Sequence, residues 1–291
     1  MNGGSLCALV RKLGYVAFWF LLPLILGAVL AILLVPVPRV AVIRFESMIW
    51  SGSVSYLGDM LERALEDRSI RAVVLEIDSP GGEVTATEEL YYRLLDVRRR
   101  KPLVVTIDYL AASGGYYMAA AGDYVFAKPA SLVGNIGVIS FLPSIDDQRF
   151  TSEDYVSTGP FKFSGGSRGD YMRQIELSKL GFLEAVFAQR GEDLAVDREM
   201  LSSGEIFMGV QALRLGLVDE LGANTEAVRK AAALAHIANY RTVDVNGLVY
   251  GEDAPADLWI SSGSLDALLE EDPAWRQGLY YLYVEPKQRR P

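Results

Sequence analysis

The strongest constraint on this chain is an uncharged apolar segment near its N-terminus. It runs from Leu13 to Val35 and contains 23 residues, which as a helix would extend roughly 35 Å, enough to cross a bilayer. A cleaved signal peptide has a shorter apolar core of about 7–15 residues, and the following "VPVPRVAV" is a poor cleavage site. Residues 1–38 are therefore predicted to form a short N-terminus and a single transmembrane helix.

The charges that flank this segment predict its orientation. Arg11 and Lys12 precede it, and the excess of basic residues on the cytoplasmic side of membrane proteins would keep the N-terminus in the cytoplasm. Arg39 and Arg44 follow closely and weaken this argument. We expect a single-pass protein whose remaining residues lie outside the cytoplasm.

Composition excludes several classes of function. The formal net charge is -9, which argues against nucleic-acid binding, because no basic face is required by any segment. The one cysteine, Cys7, rules out a disulfide within the chain. The sequence has no CxxC motif or His/Cys cluster, so a thiolate–imidazole zinc site is excluded. A carboxylate-only metal site is not excluded, but no motif points to one.

The rest of the chain alternates between strand and helix patterns. Mostly apolar runs of strand length occur at 40–46, 72–77 and 103–108, and residues at helical spacing separate them. This alternation predicts an α/β fold with a parallel sheet core. Residues 39–245 are predicted to form one domain. Residues 246–291 are predicted to form a C-terminal tail of unknown role. Its last forty residues, 252–291, are acidic and then aromatic, and we expect them to be loosely attached.

Two glycine-rich loops follow neighbouring strands and suggest chemistry. The first is "DSPGG" at 78–82 and the second is "ASGG" at 112–115. Sites in parallel α/β folds form at the carboxyl ends of strands, and free backbone amides there could stabilise an oxyanion. Ser113 is then a candidate nucleophile. Two alternatives stay open: the small residues could serve packing, and Ser113 could be an ordinary helix N-cap.

A nucleophilic serine needs a base. The only histidine, His236, lies in an alanine-rich helical pattern far along the chain, so lysine is the better candidate. A lysine base must be neutral, which requires its pKa of about 10.4 to fall by roughly 2–3 units through burial without an acidic partner. Lys162, between two phenylalanines, fits this requirement better than Lys128, which remains an alternative.

Several motifs together resemble the signal peptide peptidase A family, membrane-anchored serine proteases with a ClpP/crotonase-like fold. The resemblance covers about residues 40–240, and the spacings between the motifs also fit. The matching stretches are "DSPGG" at 78–82, "AASGGYYMAAAGDYVFA" at 111–127, "GNIGVI" at 134–139, "STGPFK" at 157–162 and "GLVDELG" at 216–222.

The resemblance implies a role for each matching residue. Ser113 falls on the nucleophile, Lys162 on the general base, and Gly82 and Gly114 on the amides of the oxyanion hole. Asn135 stands where the family often has a serine that orients the lysine, and it is assigned a supporting role.

The resemblance also implies a function. The fold would be a repeated ββα superhelix preceded by one transmembrane helix, located in the plasma membrane with the catalytic domain on the extracytoplasmic side. The expected activity is a serine–lysine endopeptidase that degrades remnant signal peptides and other unfolded membrane-proximal peptides. Homo-oligomeric rings are expected, with no cofactor or metal. A non-proteolytic membrane scaffold and a crotonase-like acyl-CoA enzyme are the rival hypotheses.

Overall fold

The computed structural model describes residues 14–15, 17–27, 30, 36–141, 158–159, 161–162, 165–251 and 278–283. The chain divides into two units at Pro38/Arg39. In the first unit, residues 14–15, 17–27 and 30 are helical. Within the part of the chain described, no helix combines the length and apolar character needed to span a bilayer. The predicted anchor at 13–35 falls partly outside the described residues, and it stays a prediction.

The second unit is built on two sheets. Its strands are β1 Arg39–Phe45, β2 Ile70–Ser79, β3 Gly81–Glu83, β4 Leu103–Ala112, β5 Tyr124–Ala127, β6 Leu132–Gly134, β7 Ile139–Phe141, β8 Ile206–Met208, β9 Glu220–Leu221, β10 Arg241–Asp244 and β11 Gly278–Leu282. The larger sheet has the order β10-β1-β2-β4-β5-β9, all parallel. In that sheet β6 also pairs with β4, and β8 pairs antiparallel with β6.

Eight helices of the described part of this unit connect these strands. They are α1 Ser51–Glu66, α2 Val84–Arg100, α3 Gly114–Ala119, α4 Arg168–Arg190, α5 Arg198–Leu201, α6 Gly209–Arg214, α7 Asn224–Leu234 and α8 Val245–Tyr250. The strand–helix alternation and the mixed, mainly parallel sheet confirm the predicted α/β class.

Burial explains why these segments form these elements. In β2 and β4 successive residues are buried on both faces, as expected for central strands of a parallel sheet covered by helices. Helix α2 buries Leu90, Leu94 and Val97 at helical spacing, and each such side chain contributes about 1.5–3 kcal/mol of hydrophobic stabilisation. Helix α7 covers the opposite face through Ala227 and Ala231.

Parts of the predicted tail pack on the domain. In α8, the Tyr250 ring stacks on Tyr56 with centroids 4.8 Å apart, and the Asn246 side-chain oxygen accepts a hydrogen bond from the Arg44 amide at 2.9 Å. Strand β11 forms the middle of a second, three-stranded sheet, β3-β11-β7, antiparallel to both neighbours. Residues 245–250 and 278–282 are therefore integrated elements of the domain, and the loose attachment expected of residues 252–291 is wrong for 278–282.

Candidate active site

Ser113 occupies the turn between β4 and α3 in an unusual conformation. Its φ of 53° and ψ of −120° lie in a region that side-chain-bearing residues rarely adopt and that stores backbone strain. Its side chain makes no capping hydrogen bond to α3, and the hydroxyl has no partner among the described residues. The residue is buried, with 1% of its surface exposed. The N-cap interpretation is therefore not supported, and a strained residue with an uncommitted hydroxyl points to chemistry.

The two glycine-rich loops meet beside Ser113. The Cα of Gly81 lies 3.1 Å from the position that a Gly114 Cβ would take. Gly81 itself has a φ of +97°, and a Cβ there would lie 2.6 Å from the Gly114 nitrogen. A Cβ on Gly82 would lie 1.8 Å from the Ile49 carbonyl oxygen. The backbones approach so closely that only glycine fits, so the structure brings the predicted Gly82 and Gly114 loops together with Ser113.

The direction of the Gly82 amide follows from the hydrogen bonds around it. Ile49 donates to the Gly81 carbonyl and accepts from the Glu83 amide, both at 2.8 Å, so the amide between them faces the opposite edge of β3. On that edge β11 pairs Tyr281 with Gly82. Because Tyr283 also donates to the Pro80 carbonyl at 2.7 Å, the alternation of an antiparallel ladder makes Gly82–Tyr281 a hydrogen-bonded pair. The Gly82 amide thus donates to the Tyr281 carbonyl.

A buried network holds α3 and its serine in place. The Tyr116 hydroxyl of α3 donates to the Leu217 carbonyl at 2.9 Å. The Asp219 carboxylate accepts the Val125 amide at 2.6 Å and two Arg190 nitrogens at 2.8 and 3.0 Å. Burial, the largest cause, raises the pKa of the Tyr116 hydroxyl far above its usual value. The "GLVDELG" motif therefore supports the site by packing and hydrogen bonding.

The structure does not bring Lys162 to Ser113. Lys162 is exposed, its amide donates to the Gly159 carbonyl at 3.3 Å, and the described residues contain no contact between its ammonium and Ser113. Residues 142–157, 160 and 163–164 around it lie outside the described residues. A neutral lysine requires burial, but Lys162 is exposed in this single chain. The structure therefore differs from the expectation that Lys162 is buried.

The remaining described lysines are all engaged elsewhere. Lys128 forms an ion pair with Asp108, so it lacks the acid-free setting that a neutral base needs. The Lys179 ammonium lies 2.8 Å from the Glu176 carboxylate. Lys230 lies over the Tyr124 ring, 3.6 Å from the centroid.

The Lys101 ammonium also has hydrogen-bond partners. It donates to the Ala64 and Asp67 carbonyls at 2.6 and 2.9 Å, and burial is the main cause that lowers its pKa. Among the lysines that the structure describes, Lys162 alone has an ammonium without a protein partner. Lys12 and Lys287 lie outside the described residues.

The structure also describes Asn135, the expected supporting residue, and His236, the histidine that the sequence analysis set aside as a base. Asn135 follows Gly134, whose carbonyl accepts the Ser113 amide at 2.8 Å, so Asn135 lies close to the Ser113 turn. Its side-chain nitrogen donates to the Gly204 carbonyl at 2.7 Å, and no contact with Lys162 occurs among the described residues. His236 is exposed after the end of α7, in the left-handed conformation with φ 55°.

Acidic groups surround the end of β2 near the site. The carboxyl pKa of Asp78 is raised, chiefly by burial and then by the charges of Glu46 and Asp108, while Lys128 opposes the shift.

Among the described residues, no group of three or more His, Cys, Asp or Glu side chains could hold a metal ion.

The comparisons with known proteins agree with the resemblance. Residues 96–238 match the model of peptidase family S49. The chain belongs to this family, which is that of signal peptide peptidase A. "Protease 4" of Haemophilus influenzae is 29% identical over 217 residues, covering 68% of this chain and 35% of the relative. A protein of Methanocaldococcus jannaschii that is named as a protease is 31% identical over 201 residues, covering 65% and 64%.

This chain thus spans about a third of the first of these relatives and just under two thirds of the second. Among solved structures, it is similar to a lysine-to-alanine variant of the 1510-N membrane-bound stomatin-specific protease in complex with a substrate peptide. The identity is 15%, the TM-score is 0.51, and the match covers 72% of this chain and 93% of the other. That likeness supports the S49 protease fold.

The sequence analysis did not predict that β11 lies beside the site. The available signal was the run "LYYLY" at 279–283, because aromatic residues favour strands. The run lies far from the other motifs along the chain, and its pairing with β3 is a long-range contact that local patterns do not reveal.

Proposed function

We propose that this S49 protein is a serine endopeptidase in which Ser113 is the nucleophile and Lys162 the general base. The observation that carries the proposal is the strained Ser113 turn, with an uncommitted hydroxyl beside the converging Gly82 and Gly114 loops. Acyl transfer requires a nucleophile that substrate can reach and backbone amides that stabilise the oxyanion, and this arrangement offers both.

The proposed reaction has two steps. Lys162 takes the proton of Ser113 while the Ser113 oxygen attacks a peptide carbonyl carbon, and the amides of Gly82 and Gly114 stabilise the oxyanion. The protonated lysine then gives its proton to the leaving amine. Water activated by Lys162 hydrolyses the resulting ester and restores the serine. Asn135 is proposed to orient the lysine.

Burial of Lys162 is the requirement that a single chain leaves unmet. We propose that the ring-shaped homo-oligomer implied by the family resemblance, with sites completed by two subunits, supplies this burial. Burial without a paired acid disfavours the charged form of an amine, and a general base must be uncharged. A monomeric preparation would then be inactive, so activity should be measured alongside the oligomeric state.

The proposed setting is a single-pass anchor in the plasma membrane, with a ClpP/crotonase-like superhelix on the extracytoplasmic side. Proposed substrates are remnant signal peptides and other unfolded membrane-proximal peptides. Peptide substrates are also suggested by the solved relative, whose structure holds a substrate peptide. No cofactor is required by the reaction.

The experiment that tests this proposal is cleavage of an unstructured peptide by the full chain in detergent, compared with Ser113→Ala. The expected result is loss of turnover in the variant at an unchanged melting temperature. Retained turnover would refute the role of Ser113. A folded, assembled wild-type protein that neither cleaves peptides nor reacts with an acylating probe would favour the scaffold hypothesis.

A further inference from the structure

We propose that a cationic groove at the amino-terminal edge of the larger sheet binds the phosphate headgroups of anionic phospholipids. This basic groove is lined by residues of 65–71, 100–102 and 234–235. Headgroup binding there holds the domain against an anionic membrane surface in a fixed orientation. The inference goes beyond the proposed function, because it concerns a different part of the domain from Ser113 and does not depend on catalysis.

The basic groove lies where three helices end and two strands begin. Helices α1, α2 and α7 end at Glu66, Arg100 and Leu234, and β2 and β4 begin at Ile70 and Leu103. Because β2 and β4 are parallel, their first residues share one edge of the sheet. The ten residues of β4, at about 3.3 Å each, place the turn after β4 roughly 30 Å away. The groove is therefore separate from the candidate active site.

The lining of the basic groove is strongly positive. Arg68, Arg71, Arg100 and Lys101 line it, and no acidic side chain does so among the described residues. This concentration of positive charge occurs in a chain whose formal net charge is -9. Guanidinium groups donate paired hydrogen bonds to phosphate oxygens, and an ammonium adds a compact charge. The groove has a volume of about 550 Å³, within the range of roughly 300–1,000 Å³ that is usual for small-molecule sites.

Two of these cations are available to a ligand. Arg68 and Arg71 are exposed, and neither forms an ion pair with a described residue. Arg100 is partly committed, since it lies 2.9 Å from the Asp96 carboxylate. Basic residues often serve only to compensate the carbonyl ends of helices. That role explains Arg100, the last residue of α2, but it does not explain Arg71, which lies within β2.

Lys101 prepares the groove for an anion. Its ammonium donates to the Ala64 and Asp67 carbonyls at the end of α1, so it neutralises carbonyl groups that would otherwise repel a phosphate. Burial is the main cause that lowers the Lys101 pKa, and the charge of Arg71 adds to it while Asp67 opposes it. The Asp67 carboxylate is itself held by the amide and hydroxyl of Ser69, at 2.8 and 2.7 Å. A bound anion would relieve the repulsion between Lys101 and Arg71.

Apolar side chains beside the cations favour a lipid over a free phosphate. The groove is also lined by Leu65, Ile70, Pro102 and Leu234. Leu234 is 38% exposed, so part of this apolar lining lies at the surface. A phospholipid carries its phosphate next to a glycerol ester and acyl chains, and therefore matches a lining that is cationic and apolar side by side. Inorganic phosphate would leave the apolar part unused.

The entry of the chain into the domain also favours a membrane surface. Arg39 begins β1, and its amide donates to the Ser69 carbonyl at 2.7 Å, directly after Arg68 of the groove. With the predicted anchor ending at Val35, only residues 36–38 would separate the bilayer from this edge. Clusters of basic residues next to a transmembrane helix attract anionic headgroups, and this attraction is the same on either side of a bilayer.

Lipid binding by the full chain in dodecyl maltoside tests the proposal. The probe is dihexanoyl-phosphatidylglycerol, titrated below its micellar concentration by isothermal titration calorimetry, and the matched probe is zwitterionic dihexanoyl-phosphatidylcholine. We expect phosphatidylglycerol to bind at least roughly tenfold more tightly, because the cations favour a net negative headgroup. Added salt should weaken this binding. Equal affinity for the two lipids would overturn the proposal.

Substitutions then locate the binding. Arg68→Ala/Arg71→Ala should weaken phosphatidylglycerol binding roughly twentyfold, since each basic residue at an anionic surface contributes about a factor of five. Arg68→Lys/Arg71→Lys should keep most of the affinity. The matched control is Arg168→Ala/Arg214→Ala, which removes the same charge from two exposed arginines outside the groove. An equal loss in both alanine variants would indicate attraction by net charge alone, which refutes a groove.

Two further measurements distinguish a membrane surface from a soluble anion. Inorganic phosphate that bound the full chain as tightly as phosphatidylglycerol does would refute the lipid assignment. In nanodiscs, adding phosphatidylglycerol to phosphatidylcholine should slow hydrogen exchange in peptides covering 63–71 and 98–103, and not in the Arg68→Ala/Arg71→Ala variant. Unchanged exchange in the wild type would show that the groove does not contact the bilayer. Melting temperatures of all variants should match the wild type, because the substituted side chains are exposed.

Discussion

The Ser113 amide donates to the Gly134 carbonyl at 2.8 Å, and this bond ties the Ser113 turn to β6. The turn needs such support because Ser113 adopts a positive φ that costs of order 1–3 kcal/mol. A second bond, from the Tyr117 amide to the Ser113 carbonyl at 2.9 Å, fixes the other side of the turn. These two bonds hold Ser113 in its strained conformation between the large sheet and α3, and that conformation sets the direction of its side chain.

Replacement of Ser113 by glycine should separate strain from function. Glycine adopts a positive φ without steric cost, although it also loses more chain entropy on folding. We expect Ser113→Gly to be more stable than Ser113→Ala by roughly 1 kcal/mol, with both variants inactive. Thermal unfolding of the two proteins measures the difference. If Ser113→Ala were the more stable variant, the turn would not be strained.

Replacement of Gly82 should damage the domain as well as the site. An alanine Cβ would lie 1.8 Å from the Ile49 carbonyl oxygen, so β3 would have to move away from its neighbour. We expect Gly82→Ala to lower the free energy of unfolding by roughly 3 kcal/mol. Gly137→Ala is the matched control, because no atom lies within 4 Å of its added Cβ. Equal stabilities of the two variants in urea unfolding would contradict this packing.

The buried Arg190–Asp219 pair should be essential for stability. Arg190 is 3% exposed and also donates to the Gly216 carbonyl at 3.1 and 3.2 Å. Its removal leaves a carboxylate and a carbonyl without these donors, which costs about 3–5 kcal/mol. Arg198→Ala, which breaks an exposed pair with Glu184, should cost much less, because solvent screens an exposed ion pair. Chemical denaturation of Arg190→Ala and Arg198→Ala tests this order.

Asp78 predicts a pH dependence of stability. Its raised pKa means that the folded protein holds this proton more tightly than the unfolded chain does, so the contribution to stability is present at low pH and is lost as pH rises above about 4. Asp78→Asn cannot ionise and still offers an oxygen to the Leu110 amide. Its stability relative to wild type should therefore increase between about pH 4 and 7.

The control for Asp78 is Asp96, whose carboxyl pKa is lowered chiefly by its hydrogen bond from Arg99. Asp96→Asn should show the opposite trend, with any loss of stability present near neutral pH and absent in acid. Melting temperatures measured across this pH range distinguish the two trends. A constant difference between Asp78→Asn and wild type at every pH would contradict the account of Asp78.

Local sequence patterns predicted the central elements well. Strands β1, β2 and β4 and the helices between them followed from runs of apolar residues and from the 3.6-residue period of Leu90, Leu94 and Val97. The convergence of the glycine loops with Ser113 followed from the rule that parallel strands present their carboxyl ends at one edge. These features depend on contacts between neighbouring elements.

Features set by distant contacts were not predicted. Strand β11 pairs with β3 across almost 200 residues, and nothing in "LYYLY" identifies its partner. The exposure of Lys162 also differs from the expected burial, because an apolar neighbour such as Phe161 does not bury a lysine unless other segments cover it. Phe161 is itself 51% exposed. The glycines beside Ser113 indicate a tight turn, but the positive φ of the serine itself depends on the β6 and α3 contacts that hold the turn.

The most direct test of the central claim is fluorophosphonate labelling of the assembled full chain, with the modified residue identified by mass spectrometry. The variants are Ser113→Ala and Lys162→Ala, with Lys128→Ala and Lys179→Ala as controls, since both control lysines have carboxylate partners. We predict that the probe attaches to Ser113, that labelling is lost in the first two variants, and that it persists in both controls. Labelling at another residue, or undiminished labelling of Lys162→Ala, would contradict a serine–lysine dyad at this site.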